Sequence, residues 1–129
     1  MVIDSSALMA IFLVEADASI YASAILNDRI RLISAATLAE ASIVAIRRRQ
    51  PDPIAALDIL TTRLRLVVIP VDHEQALLAR DGFRRFGKGR HPAGPNYGDC
   101  FSYALAKQRG EPLLFKGNDF SQTDVLVAY

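Results

Sequence analysis

Short apolar runs alternate with helical stretches along the whole chain, and this alternation limits the fold more than any other feature. Val2-Ile3, Arg31-Leu32-Ile33-Ser34-Ala35, Leu66-Val67-Val68-Ile69 and Pro112-Leu113-Leu114-Phe115 read as strands. A helix begins directly after the first strand, with Ala7-Leu8-Met9-Ala10-Ile11-Phe12 as its apolar body. Asp17 to Asn27 predicts a second, because Ala18, Tyr21, Ala22, Ile25 and Leu26 recur at helical spacing. Strands separated by helices imply a parallel sheet with helices on both faces. The expected architecture is α/β, three layers in the order α/β/α, around a central parallel sheet of four or five short strands. Val125-Leu126-Val127 supplies the optional fifth. At 129 residues, residues 1–129 form a single domain by default.

Helix boundaries are marked by caps and breakers. Thr37 followed by Glu40 has the form of a capping box, with the helix running through Ile43, Val44 and Ile46 to Arg47-Arg48-Arg49. Cations at that end suit the negative pole of the helix dipole. Asp52 caps the next helix with Pro53 at its first position, and Ile54, Leu57, Leu60 and Leu64 form its buried stripe. Asp72 and Gln75 make another cap-and-return pair, and Ala76, Ala79, Phe83 and Phe86 line the helix that follows. The glycine- and proline-rich stretch Gly87 to Gly98 is a surface loop. Asp99 opens a helix that Gly110 stops at Arg109.

Composition narrows the function classes. Hydrophobic residues make up 51% of the chain, enough for a packed core, and the net charge of +1 provides no overall field to attract nucleic acid. Any such attraction must be local. Arg80, Arg84, Arg85, Lys88 and Arg90 cluster before His91, and a phosphate-binding surface and a solvated helix face explain them equally well. The single cysteine, Cys100, excludes an internal disulfide and reads as a packing residue. The longest apolar run, Ala7 to Val14, is far below the roughly 20 residues that span a bilayer. With no basic leader region before it, the expected location is cytoplasmic.

Acids occur where strands end. Asp4 follows the first strand, Glu40 lies one helical turn beyond the second, and Asp119 follows the fourth. Asp99 opens the helix whose far end feeds that fourth strand. In a parallel sheet the carboxyl ends of all strands share one edge, where ligands bind. Taken singly, each acid has a capping or dipole role, and for Asp4 alone that is the commoner case. Four at one edge point instead to a common cause, a divalent cation. Grouped carboxylates repel one another unless a cation compensates. Oxygen-only donors select magnesium, or manganese in its place, over zinc. Such an ion suits phosphodiester hydrolysis. Rival chemistries fail on the residues. Ser6 stands where a haloacid-type phosphatase needs its second aspartate, and no Walker loop, dinucleotide fingerprint or nucleophile elbow is present.

Four segments together resemble the PIN domain, and more narrowly the VapC-type toxins of type II toxin–antitoxin pairs. They are Val2-Ile3-Asp4-Ser5-Ser6-Ala7; Thr37 with Glu40; Asn96-Tyr97-Gly98-Asp99-Cys100-Phe101-Ser102-Tyr103-Ala104-Leu105-Ala106; and Leu114-Phe115-Lys116-Gly117-Asn118-Asp119-Phe120. The resemblance covers essentially the whole chain, in order. It implies a PIN-like fold and a magnesium-dependent endoribonuclease that leaves a 5′-phosphate. Asp4 and Asp99 match the family's most dependable metal ligands, Glu40 and Asp119 its third and fourth acids, and Ser6 a small polar residue beside the metal. A homodimer and a VapB-type antitoxin lying across the active-site groove are also implied. Lys116, Arg90 and Ser6 are the expected RNA contacts. The alternatives are a catalytically silent PIN-fold interaction module and a metal-dependent nuclease acting on DNA.

Overall fold

The computed structural model describes residues 1–48 and 50–129. In chain order the elements are β1 (Val2–Ile3), α1 (Ser5–Phe12), α2 (Ala18–Asn27), β2 (Leu32–Ser34), α3 (Ala35–Ile46), α4 (Pro53–Arg63), β3 (Val67–Ile69), α5 (His73–Phe86), α6 (Asp99–Arg109) and β4 (Leu113–Leu114). The sheet is four-stranded in the order β3-β2-β1-β4, and every pairing is parallel. Val2 stands opposite Leu32 on one side and Leu113 on the other. The expected fifth strand shrinks to one bridge, in which Val127 pairs with Leu113.

Side chains alternate across a strand, so two-residue strands still serve two faces. Ile3, Ile33 and Leu114 join Leu8, Ile25, Ala41, Ala45 and Leu57 in a core beneath α1 to α4. Val2 and Leu113 join Tyr103, Leu105, Phe120 and Val125 on the α6 side. This is the three-layer arrangement expected. α5 packs on α6 through a close approach at Gly82, where an added Cβ would lie 2.6 Å from the Tyr103 ring. β3 is an edge strand, and its Val67 and Val68 are exposed.

Several local readings hold and others are corrected. Asp52 caps α4 by accepting from the Ala55 N–H, with Pro53 following, and its backbone is left-handed at φ 45°. In the α4 stripe Leu57 and Leu64 are buried, whereas Ile54 is exposed. Asp72 caps α5 through the Gln75 N–H. The Gln75 side chain does not return to the cap; it donates to Pro70 O and Gln108 Oε1 instead. Thr37 is not a cap. α3 begins three residues earlier, and Ser34 Oγ accepts from the Ala36 N–H. Thr37 therefore lies inside the helix, buried, which frees both it and Glu40 for another task. Of the Arg47-Arg48-Arg49 run, Arg47 follows α3 directly, and Arg49 lies outside the described residues.

Among the described residues no helix is long and apolar enough to cross a membrane.

Candidate active site

The strand order places the site. The chain moves outward from β1 to β2 and β3, then returns to lay β4 on the other side of β1. A crevice opens where the winding reverses, outside the carboxyl ends of the strands. β1 is the middle strand of that reversal, and Asp4 is its next residue. Asp4 does two jobs. Its Oδ2 caps α1 by accepting from the Ser6 N–H at 3.0 Å, and it accepts from Ser6 Oγ at 2.6 Å. Its Oδ1 accepts from Ser102 Oγ at 2.6 Å. The cap reading and the site reading of Asp4 are thus compatible.

Asp4 is only 2% exposed, so its charge depends on those donors. Ser102 lies one turn after Asp99 on α6, and its Oγ is 3.1 Å from Thr37 Oγ1. A buried chain of hydroxyls therefore ties α3 and α6 to the tip of β1. Glu40, on the next turn of α3, accepts from Ser5 Oγ at 2.6 Å. Asp99 exchanges hydrogen bonds with Asn96: its Oδ2 accepts from the Asn96 N–H at 2.8 Å, and Asn96 Oδ1 accepts from the Asp99 N–H at 3.0 Å. Gly98 gives Glu40 its place. A Cβ at position 98 would fall 1.7 Å from Glu40 Oε2.

Burial pushes the Asp99 carboxyl up to about 7, and the charges of Asp4, Asp119 and Glu40 push in the same direction. Glu40 reaches Gly98 beside Asp99, and Ser102 ties Asp4 to the same helix, so these three acids adjoin one another, while the charge of Asp119 also bears on Asp99. Among the described residues none of the four makes an ion pair. Such a rim has uncompensated negative charge and only oxygen donors, which fits a hard divalent cation. Among the described residues no three histidine, cysteine or acidic side chains stand close enough to cage an ion unaided. Magnesium does not require that, since it keeps several waters and takes one or two carboxylates.

The expected RNA contacts fare differently. Ser6 spends its hydroxyl inside the protein, donating to Asp4 and accepting from the Lys116 N–H at 3.0 Å. Lys116 places its ammonium between Glu15 and Asp17. Arg90 is exposed on the loop after α5. In the basic cluster, Arg84 pairs with Asp81, and Arg85 with Asp81 and Asp124. His91 packs edge-on against Phe86, and its Nδ1 accepts from the Ala93 N–H. Cys100 is buried, its thiol donates to Asn96 O, and burial pushes its pKa up to about 11, as suits a packing residue. Ser5, Thr37, Gly98 and Ser102 were not singled out for these contacts from the sequence. A serine on the otherwise apolar buried face of α6 was the available signal for Ser102.

A PIN domain profile matches residues 1–126 of the chain. The chain is 48% identical to "Ribonuclease VapC" of Mycolicibacterium smegmatis, over the full length of both. It is 50% identical to "Ribonuclease VapC28" of Mycobacterium tuberculosis over 97% of this chain and 95% of the relative. The crystal structure of VapBC2 from Rickettsia felis, bound to a promoter DNA fragment, superposes with a TM-score of 0.72 at 15% identity, covering 98% of this chain and 94% of that one; this similarity is one of fold. The chain belongs to the PIN-domain family, in its VapC branch.

Two outcomes follow from the site geometry. Gly98→Ala retains the fold, because the clash falls on the flexible end of Glu40, but it drives that carboxylate off the rim. Unfolding midpoints with and without magnesium check this: the metal-free midpoint stays near wild type, and any gain that wild type shows on adding magnesium shrinks. The second concerns Asp99, whose pKa in the fold is raised above its ordinary 3.8. The resulting cost is absent below about pH 4, grows as pH rises, and is complete above about 7. Asp99→Asn removes it. In metal-free buffer the variant is more stable than wild type at pH 8, by on the order of 1 kcal/mol after screening at the open side of the rim. The difference vanishes near pH 4.

Proposed function

We propose that this protein is a magnesium-dependent endoribonuclease, the toxic component of a toxin–antitoxin pair acting in the cytoplasm as one domain of 129 residues. The observation that supports the reading is the placing of Asp4, Glu40 and Asp99 side by side at the carboxyl edge of the sheet, with none of them in an ion pair among the described residues and the charge of Asp119 bearing on Asp99. The names of its full-length relatives, ribonucleases at 48% and 50% identity, support it.

Asp4, Asp99 and Glu40 would hold the metal, with Asp119 completing the set directly or through water. Held there, magnesium, or manganese in its place, would supply a water of lowered pKa and shield charge on the phosphate. The protein's own contribution is to keep the donors fixed, because preorganised electrostatics is usually the largest catalytic term. Ser102 and Ser6 hold both oxygens of Asp4, and Ser5 holds Glu40. Hydrolysis adds water across the phosphodiester: its oxygen joins phosphorus, the 3′ oxygen leaves and takes a proton, and the 5′ side keeps the phosphate. Arg90, exposed on the loop after α5, would meet the RNA backbone.

Two partners belong to the same reading. A VapB-type antitoxin is supported by the VapC relatives, and by the fold neighbour, which is a VapBC assembly. A homodimer is supported by exposed Ile43, Ile46 and Tyr97. Ile43 and Tyr97 flank a hollow of about 430 Å³ beside Glu40. Exposed apolar surface of that kind marks interfaces.

Asp4→Asn and Asp99→Asn each abolish magnesium-dependent RNA cleavage while circular dichroism stays native. Sequencing the 5′ ends of fragments from wild-type digests shows 5′-phosphates. Full activity in both variants defeats the mechanism, and cleavage of DNA in preference to RNA selects the DNA nuclease. Calorimetry that finds no magnesium or manganese site selects the silent module. Ile43→Asp shifts the mass measured by light scattering from dimer to monomer.

A further inference from the structure

Lys116 follows β4 closely, beside the acidic rim, yet its ammonium pairs with none of the four acids. Nζ lies 2.8 Å from Asp17 Oδ1 and also bonds Glu15. Both partners belong to the connection between α1 and α2. The Lys116 N–H donates to Ser6 Oγ, which in turn donates to Asp4 Oδ2. Three residues further on comes Asp119. Between them, Gly117 has a left-handed backbone at φ 96°, and Gly117, Asn118 and Asp119 are all exposed. Phe120 then returns to the core, 5.1 Å from the Phe115 ring. The turn that carries Asp119 is therefore held at its far end by Phe120. At its near end it is held by the Lys116 side chain and backbone. Within the turn, the Asn118 carbonyl accepts from the Ser121 N–H at 3.1 Å and from Ser121 Oγ at 2.7 Å, which ties its far half to Phe120 and Ser121 and leaves its near half to Lys116.

We infer that Lys116 is a positioning residue: its ion pairs with Glu15 and Asp17 clamp the Asp119 turn to the α1–α2 connection and so set where the fourth carboxylate meets the metal. This rests on the ribonuclease reading above. It also separates two roles open to Lys116. A lysine that meets RNA needs a free ammonium, whereas this one is engaged by two carboxylates. Half-exposed ion pairs contribute little to global stability. Their effect here is local, because they determine the starting point of a short, glycine-containing turn. Groups that orient a metal's ligands carry weight out of proportion to their exposure.

The test compares wild type, Lys116→Met, the double variant Glu15→Gln/Asp17→Asn, the triple variant and Lys116→Arg. Hydrogen exchange of the 116–119 amides is read in metal-free protein. Manganese affinity is read by calorimetry, and kcat, KM and salt dependence on RNA by kinetics. Clamping predicts faster exchange of the Lys116 amide, which donates to Ser6 Oγ, in the first three variants, with the amides of the core strands unchanged. It also predicts roughly tenfold weaker manganese binding and a lower kcat at unchanged KM. The triple variant is no worse than either parent, because all three remove the same clamp, and Lys116→Arg recovers most of the loss. Unchanged exchange and manganese affinity in Lys116→Met overturn the inference. So does a pair of opposite effects, in which Lys116→Met raises KM and flattens the salt dependence while the double variant lowers KM. That pattern marks a phosphate contact. A wild type that neither binds manganese nor cuts RNA defeats the ribonuclease reading instead, and the exchange data then decide the clamp alone.

Discussion

Crowding of like charges at one edge of the sheet is the constraint around which this structure is organised. At that edge loss of water, and then the charges of Asp4, Asp119 and Glu40, oppose ionisation of Asp99. The elevated Asp99 pKa, about 7, records that opposition. The protein contains it with hydroxyls rather than cations. Ser102 and Ser6 hold Asp4, Ser5 holds Glu40, and Thr37 braces Ser102. Neutral donors orient the acids without cancelling their charge. Lys116, the nearest lysine in sequence, is engaged by Glu15 and Asp17.

Topology explains how so small a scaffold assembles such a site. With β1 between β2 and β4, the first residue after β1 lies at the reversal of winding, flanked by the ends of its neighbours. β1 and β4 can be as short as two residues because they are buried on both faces and need only alternate their side chains. Gly98 then lets α3 and α6 approach until Glu40 reaches the start of α6. The close approach of α5 at Gly82 supports α6 from behind through Tyr103.

What was legible in the chain, and what was not, divides along physical lines. Asp52-Pro53, Gly110 and the Asp99 start were readable because a cap or breaker acts on its own neighbours. Thr37 with Glu40 has the same local form and misled for that reason. Ser34 takes the cap because β2 runs directly into α3, and burial against α6 turns Thr37 toward Ser102. Lys116 read as a candidate RNA contact, and its ion pairs were not legible. Its partners lie about 100 residues away in the chain, at a separation of 99 for Asp17 and 101 for Glu15. Gln75 satisfied half of its pattern and spent the rest on Gln108 of α6.

The sequence by itself determined the α/β class, the position of most elements, the four acids and the family, since these follow from periodicity, local caps and motifs contained in short segments. Tertiary structure alone decided the strand order, the hydroxyl chain from Thr37 through Ser102 to Asp4, the need for glycine at 98 and the capture of Lys116. Each of those depends on which side chains meet across the sheet edge. Hydrogen bonds and ion pairs operate over about 3 Å, a distance that no spacing along the chain encodes.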